Sequence, residues 1–471
     1  VISGALLRHD LRLLLRGRIL WPVLLALLLG CVYAIAGGID WYVERDAAAQ
    51  AFATEAGGRA AAFRDTLVTL EENAAEAGHA TAAGLPTRAS RAAVWLPSPL
   101  AALSPGQSAL YPFTAQVGFF GREDALFSNY QLDNPLALQA GTFDMGFVLL
   151  FLLPLALIAL SFDVLAGDRE SGNLRLLLAH PVSVAQLVWT RLLLRSALVV
   201  IPVLLLAVVG GLVAGASLGG LLAWVGIALA YMLFWVALVA WLVTLFKTVP
   251  TAVLALVTAW VALLLVLPSV VHAVVQGLHP PPSRITLVAE ARAAQVRVER
   301  AAAQLMAEYM HDHPELANGG GAAIAPWMQT HHLVNREVER ELAPLLSRFQ
   351  DSLDARQRLL AGLQFMVPPV LAQRAFNDTA GTGLAAWQAF EARAISLKRD
   401  LGEVLGRYAI AAQPLSLATY DALPPAVEFR ADLVHPVPVE AGVASGWLLL
   451  LAVLLGALAR RRLRHSNRFV S

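Results

Sequence analysis

The chain has 471 residues, of which 58% are hydrophobic and only 15% charged, with a formal net charge of +1. A water-soluble domain carries roughly 45–50% apolar and 25% charged residues, so the excess apolar surface must face something other than water. The near-zero charge removes bulk basicity as a route to nucleic acid, and the single cysteine, Cys31, can form neither an internal disulfide nor a cysteine-only metal centre.

In residues 1–18, Leu7, Leu11, Leu14 and Leu15 share one helical stripe and arginines share another. This predicts a basic amphipathic helix in the membrane interface, the alternative being an inward extension of the next run. That run, 19–39, is longer than a signal-peptide core of about 7–15 residues, and Gly37-Gly38-Ile39-Asp40 is a poor cleavage site, so it reads as a retained first span. Crossing a hydrocarbon core of about 30 Å takes about 20 apolar residues. Further runs at 143–163, 184–215, 220–246, 248–274 and 441–459 meet that length, the third and fourth spans being divided by the Gly- and Ser-containing break at 215–220.

Two long segments lie between spans, 40–142 and 277–440. The first is expected to be helical around Phe52 to Glu72, with a loop or extended stretch from Pro86 to Pro112. The second carries helical stripes: Leu342, Leu345, Phe349, Leu353, Leu360 and Leu363, then Trp387, Phe390, Ala394, Leu397, Leu401, Val404 and Tyr408, with an amphipathic stretch at 285–310 before both. The expected fold class is an all-α polytopic membrane protein: six transmembrane helices and two large, mainly helical extracytoplasmic regions. Orientation follows from the bases. Arg8, Arg12, Arg16 and Arg18, then Arg169, Arg175, Arg191 and Arg195, Lys247, and the basic tail 460–471 all fall on one face, while both long segments hold more acids than bases. The basic face is expected to be cytoplasmic, with both termini on it.

Several function classes fall away. Inside the spans, with the apolar part of the third counted from Ser196, ionisable residues occur only at the edges, as Asp144, Asp163 and His272, whereas ion-coupled transporters need such groups within the membrane. A phosphate-binding loop requires a lysine directly after a glycine, and the only lysines, Lys247 and Lys398, follow Phe246 and Leu397. Zinc-protease and serine-hydrolase patterns are also missing, so no enzyme is expected. His311-Asp312-His313 and His331-His332 invite a metal reading, but no complete ligand set has recognised spacing, and solvated loop histidines are the expectation. Asn377-Asp378-Thr379 fits a glycosylation sequon, meaningful only in a secretory pathway. Pro154, Pro202 and Pro268 interrupt spans and read as packing features before gating kinks. The glycine pairs Gly211 with Gly215 and Gly442 with Gly446 have the spacing that allows close helix approach.

The one structured loop on the basic face lies between spans two and three. It offers a charged turn, Asp168-Arg169-Glu170-Ser171, a break at Gly172, a short apolar helix through Leu174, Leu177 and Leu178, and Pro181-Val182-Ser183 opening the next helix. From its form alone, a docking element and an ordinary turn with snorkelling charges remain equally open. The run Gly167-Asp-Arg-Glu-Ser-Gly-Asn-Leu-Arg-Leu-Leu-Leu-Ala-His-Pro-Val-Ser183 resembles the Glu-Arg-Glu-x-Gly-Thr-Leu-x-Leu-Leu-Leu-x-x-Pro-Val-Ser signature of ABC-2 type permeases, the NosY-like membrane halves of ABC transporters. Asn173 replaces the usual threonine and Asp168 the usual glutamate. Asn134-Pro-Leu-Ala-Leu, Gly141-Thr-Phe-Asp144 and Asn377-Asp-Thr-Ala-Gly-Thr382 are similar to a subgroup whose outer regions form a domain of unknown function.

The resemblance implies six spans, a dimer with a second identical or similar permease, and residence in the bacterial cytoplasmic membrane. It also implies a separate cytosolic ATPase that binds ATP and magnesium, with no cofactor in this chain. Asp168, Arg169, Glu170, Ser171, Gly172, Leu174, Leu177, Leu178 and Pro181 would then form the ATPase-coupling element. Three functions stay open: an exporter or outer-leaflet extractor, a mechanotransmitter acting on an extracytoplasmic partner, and a receptor with no ATPase.

Overall fold

The computed structural model describes residues 4–72, 85–123, 126–127, 143–178, 183–280, 282–312, 326–411, 413–434 and 439–464. The chain is an all-α polytopic membrane protein with six helices long and apolar enough to cross a bilayer: Leu20–Glu72, Met145–Glu170, Val184–Val213, Leu218–Val243, Val249–Leu278 and Val439–Arg464. The starts of spans two, three and four follow capping chemistry, which satisfies N–H groups that a helix cannot bond internally. Asp144 Oδ1 accepts from Phe147 N at 2.7 Å, and Ser183 with Gln186 forms a reciprocal capping box. Ser217 Oγ accepts from Gly220 N at 3.2 Å. Spans two and four are the most enclosed, with Trp224, Tyr231 and Trp235 of span four fully buried, while spans one, five and six leave most of their apolar length facing outward.

The first helix does not stop at Ile39. It runs unbroken for 53 residues to Glu72, about 80 Å at 1.5 Å per residue, of which about 30 Å suffices for crossing. The remainder projects beyond the bilayer, and there the two long segments pack against each other to form one head. Strand β1 (Ser90–Trp95) lies in the centre of a small sheet, antiparallel to β2 (Thr114–Gly118) and parallel to β3 (Val427–Phe429). Ala93 pairs with Ala115 on one side and Val427 on the other. The stretch 86–112, expected as loop or extended, therefore supplies the central strand as well as short 3-10 turns at Pro99–Ala102 and Gly106–Leu110.

The head core joins Phe63 and Leu67 of the first helix, Trp95 of β1, and Phe390, Leu397, Leu401 and Leu405 of helix Leu384–Ile410. Arg45 emerges from the first helix into an aromatic cage, its guanidinium 4.2 Å from the Phe113 ring centre and 5.5 Å from that of Trp95. Buried Lys398 donates to the carbonyls of Gly118 at 2.7 Å, Phe119 at 3.3 Å and Phe120 at 3.0 Å, which uses all three ammonium hydrogens. A helical hairpin of Arg284–Arg300 against Pro326–Leu363 packs Ala294 and Val298 on Val334, Val338 and Leu342.

The head is seated on the spans by two insertions. Leu103 is fully buried within the membrane core cluster beside Gly211, and the turn before it abuts span one so closely that a Cβ on Gly38 would lie 1.9 Å from Ala102 O. Helix Pro368–Ala380 enters the same cluster, with the Phe376 ring tilted against that of Trp224 at 4.8 Å between centres. Its end carries the sequon, whose Thr379 is buried and whose Asn377 Oδ1 accepts from Ser104 Oγ at 2.8 Å, so this asparagine serves the seam.

One sequence expectation needs correction. His331 and His332 are helical rather than loop residues: both lie within Pro326–Leu363, with their rings about 6 Å from that of Phe119 and the His332 ring against Gly406. Among the described residues, no three His, Cys, Asp or Glu side chains converge as a metal site. Pro202 lies inside the regular helix of span three, whereas the other two prolines follow local breaks. Spans two and five each contain one π-helical turn, Val148–Leu152 and Ala262–Val266, followed closely by Pro154 and Pro268, as expected where a proline cannot donate to the preceding turn.

Burial, together with the charges of Arg336, Lys398 and His331, pushes His332 down to about 4. Its folded value lies below the unfolded one of about 6.5, so the unfolded chain takes up the proton first. The stability this site lends the head is complete above pH 6.5 and is lost as pH falls toward 4. Urea titrations followed by tryptophan fluorescence should show that decline flattened in His332→Gln relative to the parent chain.

Candidate coupling site at the arginine-rich end

Four segments meet at the end of the bundle opposite the head: the N-terminal helix Gly4–Arg16, the end of span two with the loop after it, the start of span three, and the turn between spans four and five. Arg191 joins the first three. Its Nε donates to the Asp10 carboxylate at 3.2 Å, its Nη1 donates to Val164 O at 3.0 Å, and Nη1 also pairs with Asp168. The Arg191 and Asp10 side chains are less than a tenth exposed. One turn further along span three, Arg195 Nη1 pairs with Asp163 at 2.5 Å and with Leu160 O. Arginines four apart share a helix face, and here that face grips the last turns of span two.

The loop itself divides into an anchored part and an exposed tip. Arg169 Nη1 donates to Phe246 O at 3.3 Å, and Glu170 Oε1 accepts from Val249 N at 2.8 Å. Val249 is the first residue of span five, so Glu170 supplies a carboxylate to a helix N-terminus, where both the free N–H and the helix dipole favour negative charge. Ser171 follows, with its hydroxyl 3.4 Å from Asp168 O. Gly172 turns the chain at φ +74°, a left-handed conformation that glycine adopts without steric cost. Helix Asn173–Leu178 then begins. Glu170, Ser171, Gly172 and Asn173 are exposed.

The expected coupling residues thus separate into three groups. Glu170, Ser171 and Gly172 form the exposed tip. Asp168, Arg169, Leu174 and Leu177 face inward: Leu174 is 3% exposed, and both leucines pack on the membrane core cluster, so these leucines hold the loop in place rather than present it. Pro181 and the Leu178 side chain lie outside the described residues.

The packing glycines divide as well. Gly211 sits against Leu221 and Leu103, which a Cβ would crowd at 2.5 Å and 3.2 Å. Gly215 is instead the left-handed turn after span three, at φ +85°, with open space around it. Among the described residues nothing lies within 4 Å of a Cβ at Gly442 or Gly446, so no close approach there uses their spacing. Asp10 and the clasping function of Arg191 and Arg195 were missed in the sequence; a lone acid in a basic helix and two arginines at i, i+4 inside an otherwise apolar helix were the available signal.

The fold and this site define a polytopic membrane protein whose loop between spans two and three is tied by charge to three neighbouring segments and exposes a short turn. The chain belongs to the ABC-2 family of transporter proteins, whose model matches residues 5–340. A second family model, a domain of unknown function (DUF3526), matches residues 284–429, from the helical hairpin through β3. Neither a search of curated proteins nor a search of solved structures returned a match. Membership makes the chain a membrane permease of an ABC transporter, a class that works with an ABC ATPase and is generally its non-catalytic subunit.

Breaking a buried ion pair by removing one partner costs about 3–5 kcal/mol. Arg191→Met would leave Asp10 and Asp168 without their shared cation, and the thermal unfolding midpoint in detergent should fall by several degrees. Arg340→Met, at an 81% exposed head position, should leave the midpoint in place.

Proposed function

We propose that this chain is the permease subunit that couples ATP hydrolysis by a separate cytosolic ATPase to export, or outer-leaflet extraction, of a substrate. The arginine-rich end then faces the cytoplasm of a bacterial inner membrane, with both termini inside and the head outside. ATP and magnesium belong to the partner, and a second permease copy completes the transporter. The observation that carries this reading is the exposed turn at Glu170–Asn173, rigidly backed by Arg191, Arg169 and the N-terminus of span five. A protein pressing on that turn acts on spans two, three and five together.

A second reading is an ATP-driven mechanotransmitter that moves the head against an extracytoplasmic partner without passing a solute. It is favoured by the unbroken helix Leu20–Glu72, which carries displacement of span one directly into the head core through Phe63 and Leu67.

The test is purification of the tagged chain from its own membranes, with vanadate-sensitive ATP hydrolysis as readout. The parent chain should bring down that activity, and Glu170→Ala should lose most of it while the yield of folded permease is kept. Equal activity from both, or no ATP hydrolysis with either, overturns the coupling role.

A further inference from the structure

The π-helical turn of span two is held by side chains from spans four and five. Tyr231 Oη of span four donates at 3.0 Å to Leu150 O, the carbonyl that an N–H at position 154 would otherwise bond. Trp260 Nε1 of span five donates at 3.2 Å to the next carbonyl, Phe151 O. The break in span two is therefore satisfied by side chains from spans four and five, as required where no water is at hand. Trp260 also stands just before the break in its own span, Ala262–Val266, which Pro268 follows. Ser269 Oγ, past that break, donates to Leu265 O at 2.7 Å.

Spans two and five are consequently joined at two heights. At the base, Glu170 accepts from Val249 N and Arg169 donates to Phe246 O; at the break, Trp260 holds Phe151 O. The tied stretch of span five, Val249–Val261, is about 20 Å long at 1.5 Å per residue. Sharp bends in helices arise at prolines and π-turns, and hinges absorb motion where the regular ladder is interrupted.

We infer that the parts of spans two and five on the arginine-rich side form one rigid lever, hinged at the paired breaks Val148–Leu152 and Ala262–Val266, with Trp260 and Tyr231 as the positioning residues of the hinge. This rests on the proposed function only for what drives the lever. The lever itself is a property of the chain alone and is tested without any ATPase.

Spin labels are attached, in a Cys31→Ser background reconstituted in phospholipid nanodiscs, at cysteines replacing outward-facing residues. The pair at Leu254 and Val274 straddles the span-five break, about 30 Å apart along the helix. The pair at Leu155 and Leu254 lies within the lever. Distance distributions by double electron–electron resonance should be broad or bimodal for the first pair and narrow for the second. Pro268→Ala, which restores the missing N–H, should narrow the first, and Trp260→Phe should broaden the second. Tyr231→Phe should shift the distribution of a third pair, Phe143 and Leu155, which straddles the span-two break, while circular dichroism stays that of the parent, a change that mere loss of packing would not produce. An intra-lever distribution as broad as the cross-hinge one, or a cross-hinge distribution indifferent to Pro268→Ala, overturns the hinge. Failure of ATPase co-purification with intact distance results would instead fault the coupling reading alone.

Discussion

A helix that starts at a membrane surface has N–H groups with no partner in its own ladder, and something must answer them. At span five the answer comes from Glu170, which reaches Val249 N across 79 positions of sequence. Much else at that end is arranged around this contact. Gly172 turns the chain so that Glu170 heads the exposed tip, Leu174 sinks into the core to fix the tip's height, and Arg191 binds Asp168 just before it. The carboxylate thus joins an exposed turn of the arginine-rich end to a transmembrane helix through one charge-assisted hydrogen bond.

The same constraint, that polar groups away from water need partners, organises the rest of the molecule. Arg191 and Arg195 carry their charges into an apolar setting only because Asp10, Asp168, Asp163 and two backbone carbonyls receive them. In the spans, Tyr231 and Trp260 answer the carbonyls at the break in span two. In the head, Lys398 gathers three carbonyls at the end of β2, and at the seam with the spans Thr382 Oγ1 donates to Ser104 O at 2.8 Å. Hydrophobic burial brings these elements together, but it is the polar ties that select which segments meet.

Legibility in the sequence followed the range of each signal. The six apolar runs are local and long, and each corresponds to a helix in the structure. The stripe from Trp387 to Tyr408 is local too, and it faces the head core. What stayed hidden was non-local. Pairing of β1 with β3 joins residues more than 300 positions apart, and no periodicity in six residues announces it. The first helix outruns its apolar run because helix continuation needs only the absence of a breaker, and past Pro22 no proline occurs before Glu72. At the site, the tip was readable from its charges and Gly172, whereas Leu174 resembled a docking surface because an apolar helix reads alike whether it meets a partner or its own core. Gly442 and Gly446 show the converse: spacing suggests contact, yet only a neighbouring helix can supply it.

The central claim is that the turn at Glu170–Asn173 is where a nucleotide-driven protein touches this permease. The direct measurement is site-specific photo-crosslinking in intact cells, with a benzophenone amino acid in place of Ser171 or Asn173 and a matched position in place of Arg340 on the head. Adducts from Ser171 and Asn173, but not from Arg340, should yield peptides of a protein carrying a Gly-x-x-x-x-Gly-Lys-Ser/Thr phosphate loop. Adducts to such a protein only from Arg340, or none from the loop in cells where the permease is assembled, would contradict it.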